Sequence, residues 1–145
     1  MHVALTQEPE TAASPVEIIS SNGRSLCLVV RHQIQTDSTT FVTPPEFNMQ
    51  LGFVVHPAGH TIRRHTHVPI QRHITGTSEV LIVRKGKCVL DVYNEAREFV
   101  ASRELEKGDV MVMVGGGHGF RMLEDTVLIE VKQGPYPGVA EKEWF

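Results

Sequence analysis

The sequence predicts an all-β protein, an antiparallel sandwich or barrel. Short runs of β-branched and apolar residues recur along most of the chain, and turn-forming residues separate them at regular spacing. No stretch of useful length shows the apolar period of a helix. A chain of 145 residues fits one domain that is large enough to bury a core of its own.

The predicted strands begin after a polar, proline-containing segment without periodicity, residues 1–15, for which we expect a flexible tail. Asn22-Gly23 is typical of a tight hairpin between the first two strands. We expect the barrel over residues 16–132 and a C-terminal extension, 133–145, that packs on the barrel or on a partner subunit. The expected strands cover residues 16–20, 25–31, 50–55, 61–67, 79–83, 88–93, 97–105, 110–114, 120–123 and 126–131.

Composition narrows the class of protein. A net charge of −3 without a basic stripe argues against binding to nucleic acid or to a membrane surface. Cys27 and Cys88 lie in apolar runs without a CxxC spacing, so we expect reduced, buried thiols. The start of the chain lacks the apolar core of a secretory signal, and no stretch approaches the roughly 20 apolar residues of a membrane span. The expected location is cytoplasmic.

His65 and His67 are the most informative pair of polar residues. Side chains two apart on a strand point to the same face, so the predicted strand 61–67 places two imidazoles side by side. On a regular strand Arg63 shares that face and Arg64 points outward. Paired imidazoles are a common beginning of a transition-metal site. The alternative is a barrel without metal, in which hydrogen bonds satisfy the histidines.

Residues on both sides of this pair extend the pattern. The segment Gly59-x5-His65-x-His67 is followed by Glu79-x6-Gly86. Together they resemble the first motif of the cupin superfamily, in which two histidines and a glutamate bind metal. The resemblance implies that His65, His67 and Glu79 are metal ligands. The 11 residues between His67 and Glu79 form a longer insert than the family usually has at this place.

A later segment resembles the second cupin motif. It reads Gly108-x5-Val114-x-Gly116 and is followed by His118. The resemblance, which covers Gly52 to Val131, implies a double-stranded β-helix, that is a jelly-roll barrel, with His118 as a fourth ligand. Val114 stands where the family usually has proline, and the histidine comes one residue early. A one-residue slip reverses the facing of a strand side chain unless a bulge among the glycines absorbs it.

The implied ligand set limits the metal. Three imidazoles and one carboxylate suit a single divalent transition metal, namely iron, manganese, nickel, cobalt, copper or zinc. They do not suit calcium, which prefers a cage of oxygen ligands. Arg63 and two residues of the insert, Arg72 and His73, are candidates for orienting a substrate. Arg72 could instead be a solvated loop charge, and His73 could be an exposed loop residue or could join or replace Glu79 as a ligand.

Two function hypotheses follow. The first is a metal-dependent enzyme of oxygenase or isomerase type that acts on a small molecule, with an anionic substrate as one option. The second is a non-catalytic barrel that binds or senses a small ligand or a metal. Exchangeable coordination positions would distinguish the first from a closed structural site. The resemblance also implies a homodimer, since cupins often pair through edge strands.

Overall fold

The computed structural model describes residues 14–138 and 141–145, so residues 1–13 of the expected tail lie outside it. Within the described residues the protein contains ten strands and no helix. None of these residues therefore forms a helix that could cross a membrane. The strands are β1 (Val16–Ser21), β2 (Arg24–Val30), β3 (Thr40–Phe41), β4 (Gly52–Phe53), β5 (Glu79–Lys85), β6 (Lys87–Tyr93), β7 (Phe99–Glu106), β8 (Val110–Met113), β9 (Gly117–Met122) and β10 (Val127–Lys132).

All strand pairs are antiparallel, which confirms the predicted all-β class. One sheet has five strands in the order β1-β2-β8-β5-β10, and a second has three in the order β7-β6-β9. A small third sheet pairs β3 with β4. This arrangement is consistent with a β-sandwich, and the finer assignment to a closed jelly-roll barrel stays a prediction.

The main core lies between the five-stranded and the three-stranded sheet. In β6 every second residue is buried, because alternate side chains of a strand point to opposite faces. Cys27 of the five-stranded sheet and Cys88 of the three-stranded sheet both belong to this core. Both are free, buried thiols, as expected. Burial raises the pKa of the Cys27 thiol to about 12. The core residues are Ile19, Leu26, Cys27, Val29, Leu81, Val83, Cys88, Leu90, Val92, Leu105, Met111 and Met113.

A second cluster covers the outer face of the five-stranded sheet. Leu28, Val80 and Val112 from its central strands pack against residues of the 31–55 segment, which crosses that face. The central strands are therefore buried on both sides, and this explains their continuous apolar sequences. The covering residues include Ile34, Val42, Met49, Leu51 and Phe53.

Two turns depend on positive φ angles. Asn22 (φ 52°) and Gly23 (φ 74°) connect β1 to β2, which confirms the predicted hairpin. Gly86 (φ 83°) connects β5 to β6, and these two strands belong to different sheets. A Cβ at Gly86 would collide with the carbonyl oxygen of Asp125 and lie 2.7 Å from Thr126 Oγ1. Gly86 therefore makes a close corner between the two sheets.

The strand predicted over residues 61–67 does not form. Every residue from 56 to 77 is exposed and outside any strand, so the interior facing expected for Arg63 is wrong as well. The hydrogen bonds of these residues stay local, for example from His60 N–H to the Pro57 carbonyl oxygen. A polar alternation is not sufficient for a strand, because strand formation depends on a partner edge and on packing of one face.

Asp109 is the most strongly bonded buried side chain, and it is only 1% exposed. Its carboxylate accepts hydrogen bonds from His32 N–H (2.8 Å), Glu106 N–H (3.0 Å) and Arg31 Nη1 (3.1 Å), and His32 Nδ1 lies 3.1 Å away. Its carbonyl oxygen accepts from Val83 N–H. Burial by itself would raise the pKa of Asp109, but these donors outweigh it and lower the pKa below its ordinary value.

We expect Gly86→Ala to lower the free energy of unfolding by about 3 kcal/mol or more, because it adds both a collision and a strained φ. Gly23→Ala is the matched control, since its φ is also positive but nothing lies within 4 Å of its added Cβ. We expect about 1 kcal/mol for the control. Urea unfolding measures both, and equal losses would contradict the close contact at Gly86.

We expect Asp109→Asn to lower the free energy of unfolding at pH 7 by about 2–4 kcal/mol, because Arg31 then faces an amide in a buried place. A carboxyl whose folded-state pKa is depressed stabilises the fold above its unfolded pKa and loses that contribution as the pH falls through the folded value. The gap to wild type should therefore narrow below about pH 4. Denaturant unfolding at a series of pH values between about 2.5 and 7 measures this change.

The control for this pH series is Asp37→Asn, which changes an exposed carboxylate. Its stability should follow the wild-type curve at every pH. A gap between wild type and Asp109→Asn that stays constant into acid would contradict a depressed pKa at Asp109.

Candidate functional site

Glu79 is a buried carboxylate at the beginning of β5. Its side chain is 9% exposed, and it shares the inward face of the strand with Leu81 and Val83, two and four residues further on. A buried charge of this kind is costly unless another polar group accompanies it. Because Glu79 is the first residue of β5, its carboxylate lies at the mouth of the space between the two large sheets.

His118 supplies the companion from the opposite sheet. It lies directly across from Val92 in the β6–β9 pairing, and directly paired residues share a face. Its ring therefore points into the space between the sheets, on the same side as Phe120, which packs against the core. His118 Nε2 lies 3.3 Å from Glu79 Oε2, and its side chain is 29% exposed. The early position of this histidine in the motif does not turn it outward.

The two groups interact electrostatically. The hydrogen bond from His118 lowers the pKa of the Glu79 carboxyl, against the opposing effect of burial, which raises it. The charge of His118 adds to the lowering, and Glu130 and Lys142 contribute less. Glu79 is thus held as a carboxylate, the form that could bind a cation.

Two charged residues of β10 lie near this pair and were not predicted from the sequence to do so. In the β5–β10 pairing Glu130 lies opposite Leu81 and Lys132 opposite Glu79, so both share the inward face with Glu79. Lys132 Nζ is also 2.8 Å from Glu141 Oε1. The available signal was the interruption of an apolar strand by charges at every second position, which indicates a polar end of an otherwise apolar face.

His65 and His67 lie elsewhere, on the exposed segment 56–77. Their ring centroids are 5.4 Å apart, and His65 Nδ1 lies 2.9 Å from the Arg63 carbonyl oxygen. Arg72 and His73 are exposed on the same segment. Among the described residues no three His, Cys, Asp or Glu side chains are grouped so that they could hold a metal ion. The predicted ligands thus form two separate pairs, one between the sheets and one on the segment.

Arg121, the neighbour of Phe120 on β9, belongs to the opposite face of that strand. Its guanidinium contacts Asp91 at 3.0 Å, and this contact, with a hydrogen bond from Ser102, lowers the pKa of the Asp91 carboxyl. The Arg121 side chain therefore points away from the space between the sheets.

The last residue of the chain packs on the outer face of the three-stranded sheet, opposite to the face that carries His118. Phe145 makes an edge-to-face contact with Tyr93, with ring centroids 5.2 Å apart, and lies against Gly117, the residue before His118. Glu143 pairs with Arg97 at 2.5 Å. An open cleft of about 520 Å³ lies nearby, between the end of the exposed segment and the chain after β10. Its lining includes Ile74, Thr77, Gln133, Pro135 and Glu141.

Comparisons with known proteins found no similar protein or structure. The chain matches no protein-family model, no curated protein and no solved structure. The similarity to cupins depends on the two sequence motifs, and the observed geometry of Glu79 and His118 is independent of it.

We expect a double-mutant cycle of Glu79→Gln and His118→Ala, measured by urea unfolding in chelator, to give a coupling of about 0.5–3 kcal/mol. The reason is that each group loses its hydrogen-bonding partner from the opposite sheet when the other is replaced. The control cycle combines Glu79→Gln with Arg121→Gln, which share no partner and should be additive within about 0.5 kcal/mol. Additivity in the first cycle would contradict the contact.

Proposed function

We propose that the protein binds one divalent transition metal in a cupin-type site, in which Glu79 and His118 are two of four ligands. The observation that carries the proposal is the carboxylate–imidazole pair between the sheets. It consists of two ligand-type side chains from strands of opposite sheets, directed at each other.

The spacing of the pair fits a common metal ion. Two donor atoms that are each about 2.1 Å from one ion, at ligand angles between octahedral and tetrahedral, lie about 3.0–3.4 Å apart. The observed separation of Glu79 Oε2 and His118 Nε2 is 3.3 Å. Small movements of two side chains would therefore admit an ion, and the strands would not have to move.

His65 and His67 are the proposed third and fourth ligands. They already lie beside each other, and they would reach the pair when the segment 56–77 folds over the mouth between the sheets. Three imidazoles with one carboxylate favour iron, manganese, nickel, cobalt, copper or zinc. A metal bound in this way would supply a Lewis acid at the mouth, next to the cleft.

The same movement would bring two guanidinium groups and a further imidazole to the metal. Arg63, Arg72 and His73 lie on the segment with the histidine pair, so they would line the mouth together with Lys132. Guanidinium groups beside a metal favour a small molecule with a carboxylate or a phosphate. An oxygenase or isomerase would use such a site, and a non-catalytic binding protein would use it equally.

We expect the protein to take up about one equivalent of at least one of these metals, measured by elemental analysis after loading and desalting. Glu79→Gln, and separately His65→Ala with His67→Ala, should weaken binding by at least about 100-fold, because each removes a direct ligand and loss of supporting groups alone costs 10–100-fold.

His56→Ala is the matched control, since it removes an exposed histidine of the same segment that is not a proposed ligand. It should bind metal as wild type does. Wild-type protein without uptake of any of the six metals would contradict the proposal. Unchanged binding in the Glu79 variant would contradict this ligand set.

A further inference from the structure

The last residues of the chain, 141–145, form a strap at the mouth between the sheets. Glu141, Glu143 and Phe145 contact the body of the protein. The residues between them do not share these contacts, since Lys142 Nζ lies 6.0 Å from the ring centroid of Trp144 and Trp144 is 85% exposed. Contacts at every second residue are typical of an extended segment with one face on the protein.

The strap links the two large sheets. Glu141 Oε1 lies 2.8 Å from Nζ of Lys132, the last residue of β10 in the five-stranded sheet. Phe145 packs on Tyr93, the last residue of β6 in the three-stranded sheet, and its ring centroid lies 5.4 Å from Arg97 Cζ. A molecule that approaches the mouth between the sheets at this end therefore meets the strap.

Lys132 is a cation on the inward face of an edge strand. It lies directly opposite Glu79 in the β5–β10 pairing, so the two side chains share the inward face. The hydrogen bond with Glu141 raises the pKa of Lys132 most, burial opposes it, and the charges of Glu141, Glu130 and Glu79 add to the rise. Lys132 is thus a fixed positive charge beside the Glu79–His118 pair.

The Glu141 carboxylate is the group that Lys132 binds in this structure. The side chains of Lys132 and Glu141 are only 27% and 21% exposed, although Glu141 as a whole residue is exposed. Its carboxylate is therefore turned toward the protein, where Oε1 accepts a hydrogen bond from Lys132 Nζ. An ammonium group can bind the carboxylate of a small molecule in the same way.

The cleft of about 520 Å³ begins at this carboxylate, because Glu141 is part of its lining. Another part of the lining is apolar surface from Ile74 and Pro135. Gln133 forms a fixed polar wall, since its Oε1 accepts from Ser78 N–H at 2.9 Å and its own N–H donates to the Ser78 carbonyl oxygen. The volume lies within the roughly 300–1,000 Å³ that is typical of small-molecule sites.

We propose that this cleft binds a small carboxylate with an apolar body, whose carboxylate group replaces that of Glu141 on Lys132. The strap is then an internal competitor for the site. A ligand bound in this way has its charged end beside Glu79 and its apolar body along the cleft. The carboxylate site does not depend on metal, whereas its role in supplying a ligand to the metal rests on the proposed function.

The contacts of the strap suit such an exchange. The strap ends the chain, the Glu143 side chain is 84% exposed and Phe145 is 63% exposed. Ion pairs with this exposure contribute little to stability, because water and salt screen them. A ligand also gains apolar contacts with Ile74 and Pro135, because Glu141 lines the cleft and does not fill it.

The surrounding charges favour a carboxylate over a phosphate. Lys132 carries one positive charge, and the carboxylates of Glu79, Glu130 and Glu141 all act on it. A phosphate of nearly two negative charges is repelled more strongly by Glu79 and Glu130 than a carboxylate of one charge. The ligand that fits is therefore a singly charged anion with carbon atoms to fill the cleft.

Trp144 reports release of the strap, because it is the only tryptophan of the chain. We expect hexanoate, added to the full chain in chelator at constant ionic strength, to lower the fluorescence anisotropy of Trp144 to that of a Glu141→Gln variant. Hexanamide, the neutral analogue, and inorganic phosphate should leave it unchanged at the same concentrations. No fall with hexanoate, or an equal fall with either control compound, overturns the proposal.

Affinities for hexanoate test the competition directly. Glu141→Gln should bind hexanoate at least about threefold more tightly than wild type, because the tethered competitor is weakened. Lys132→Gln should bind at least about tenfold more weakly, and Lys132→Arg, which keeps the positive charge, should restore most of the affinity. Amide chemical shifts in an NMR titration measure these constants.

The matched control is Glu124→Gln. It changes an exposed carboxylate at the opposite end of the molecule, where Glu124 N–H donates to the Lys87 carbonyl oxygen at the beginning of β6. It should bind hexanoate as wild type does. Equal affinities of wild type and Glu141→Gln, or of wild type and a cooperatively unfolding Lys132→Gln, overturn the proposal.

Phe145→Ala separates competition by the strap from simple charge repulsion. It removes the contact with Tyr93 but changes neither Lys132 nor Glu141. We expect it to lower the anisotropy of Trp144 and to tighten hexanoate binding at least about twofold, because the competitor is held less closely to its site. An unchanged affinity in a variant with lowered anisotropy overturns the strap as competitor.

The two proposals can fail separately, because these measurements are made in chelator. Hexanoate binding with release of the strap, in a protein that takes up no metal, contradicts the proposed function and supports the carboxylate site. Metal uptake by a protein that does not bind hexanoate overturns the carboxylate site and supports the proposed function.

Discussion

The buried carboxylate of Asp109 is the constraint on which the arrangement of the five-stranded sheet depends. It holds the chain after β2 through Arg31 and His32, and the turn between β7 and β8 through Glu106. The Asp109 carbonyl group in turn holds β5 through Val83. Three parts of the chain, namely the end of β2, strand β5 and the turn between β7 and β8, thus meet at one residue. Since buried charges are stable only when their hydrogen bonds are complete, this meeting point admits one relative placement of β2, β8 and β5.

That placement determines where the candidate site can be. At the other end of the same strands, β8 pairs with β5 so that Met113 lies beside Glu79, and the core between the sheets ends there. Apolar packing from Leu81 and Val83 fixes the direction of β5, and Glu79 follows from strand alternation. The site is therefore a polar end of an apolar core. Glu79 and His118 are positioned by strands, whereas the other two predicted ligands, His65 and His67, lie on an exposed segment outside the core.

The sequence predicted those parts of the fold that depend on local patterns. The hairpin at Asn22-Gly23 and the central strands follow from turn chemistry and apolar runs. Two of the four predicted ligands, Glu79 and His118, lie next to each other, and their role as ligands stays a prediction. The strand at 61–67 failed because alternation of polar residues does not say which edge is available to pair with. The hydrogen bonds of Asp109 could not be predicted, because a Gly-Asp turn does not show that His32, 77 positions earlier, will donate to its carboxylate.

The two cysteines give this architecture an internal reporter. Cys27 comes from the five-stranded sheet and Cys88 from the three-stranded sheet, and both side chains are closed off in the same core. Only a thiolate reacts rapidly with alkylating reagents, and the raised pKa of Cys27 leaves almost none in the closed state. Alkylation of these thiols therefore measures how often the two sheets separate, so native-state opening can be timed without adding a label to the surface.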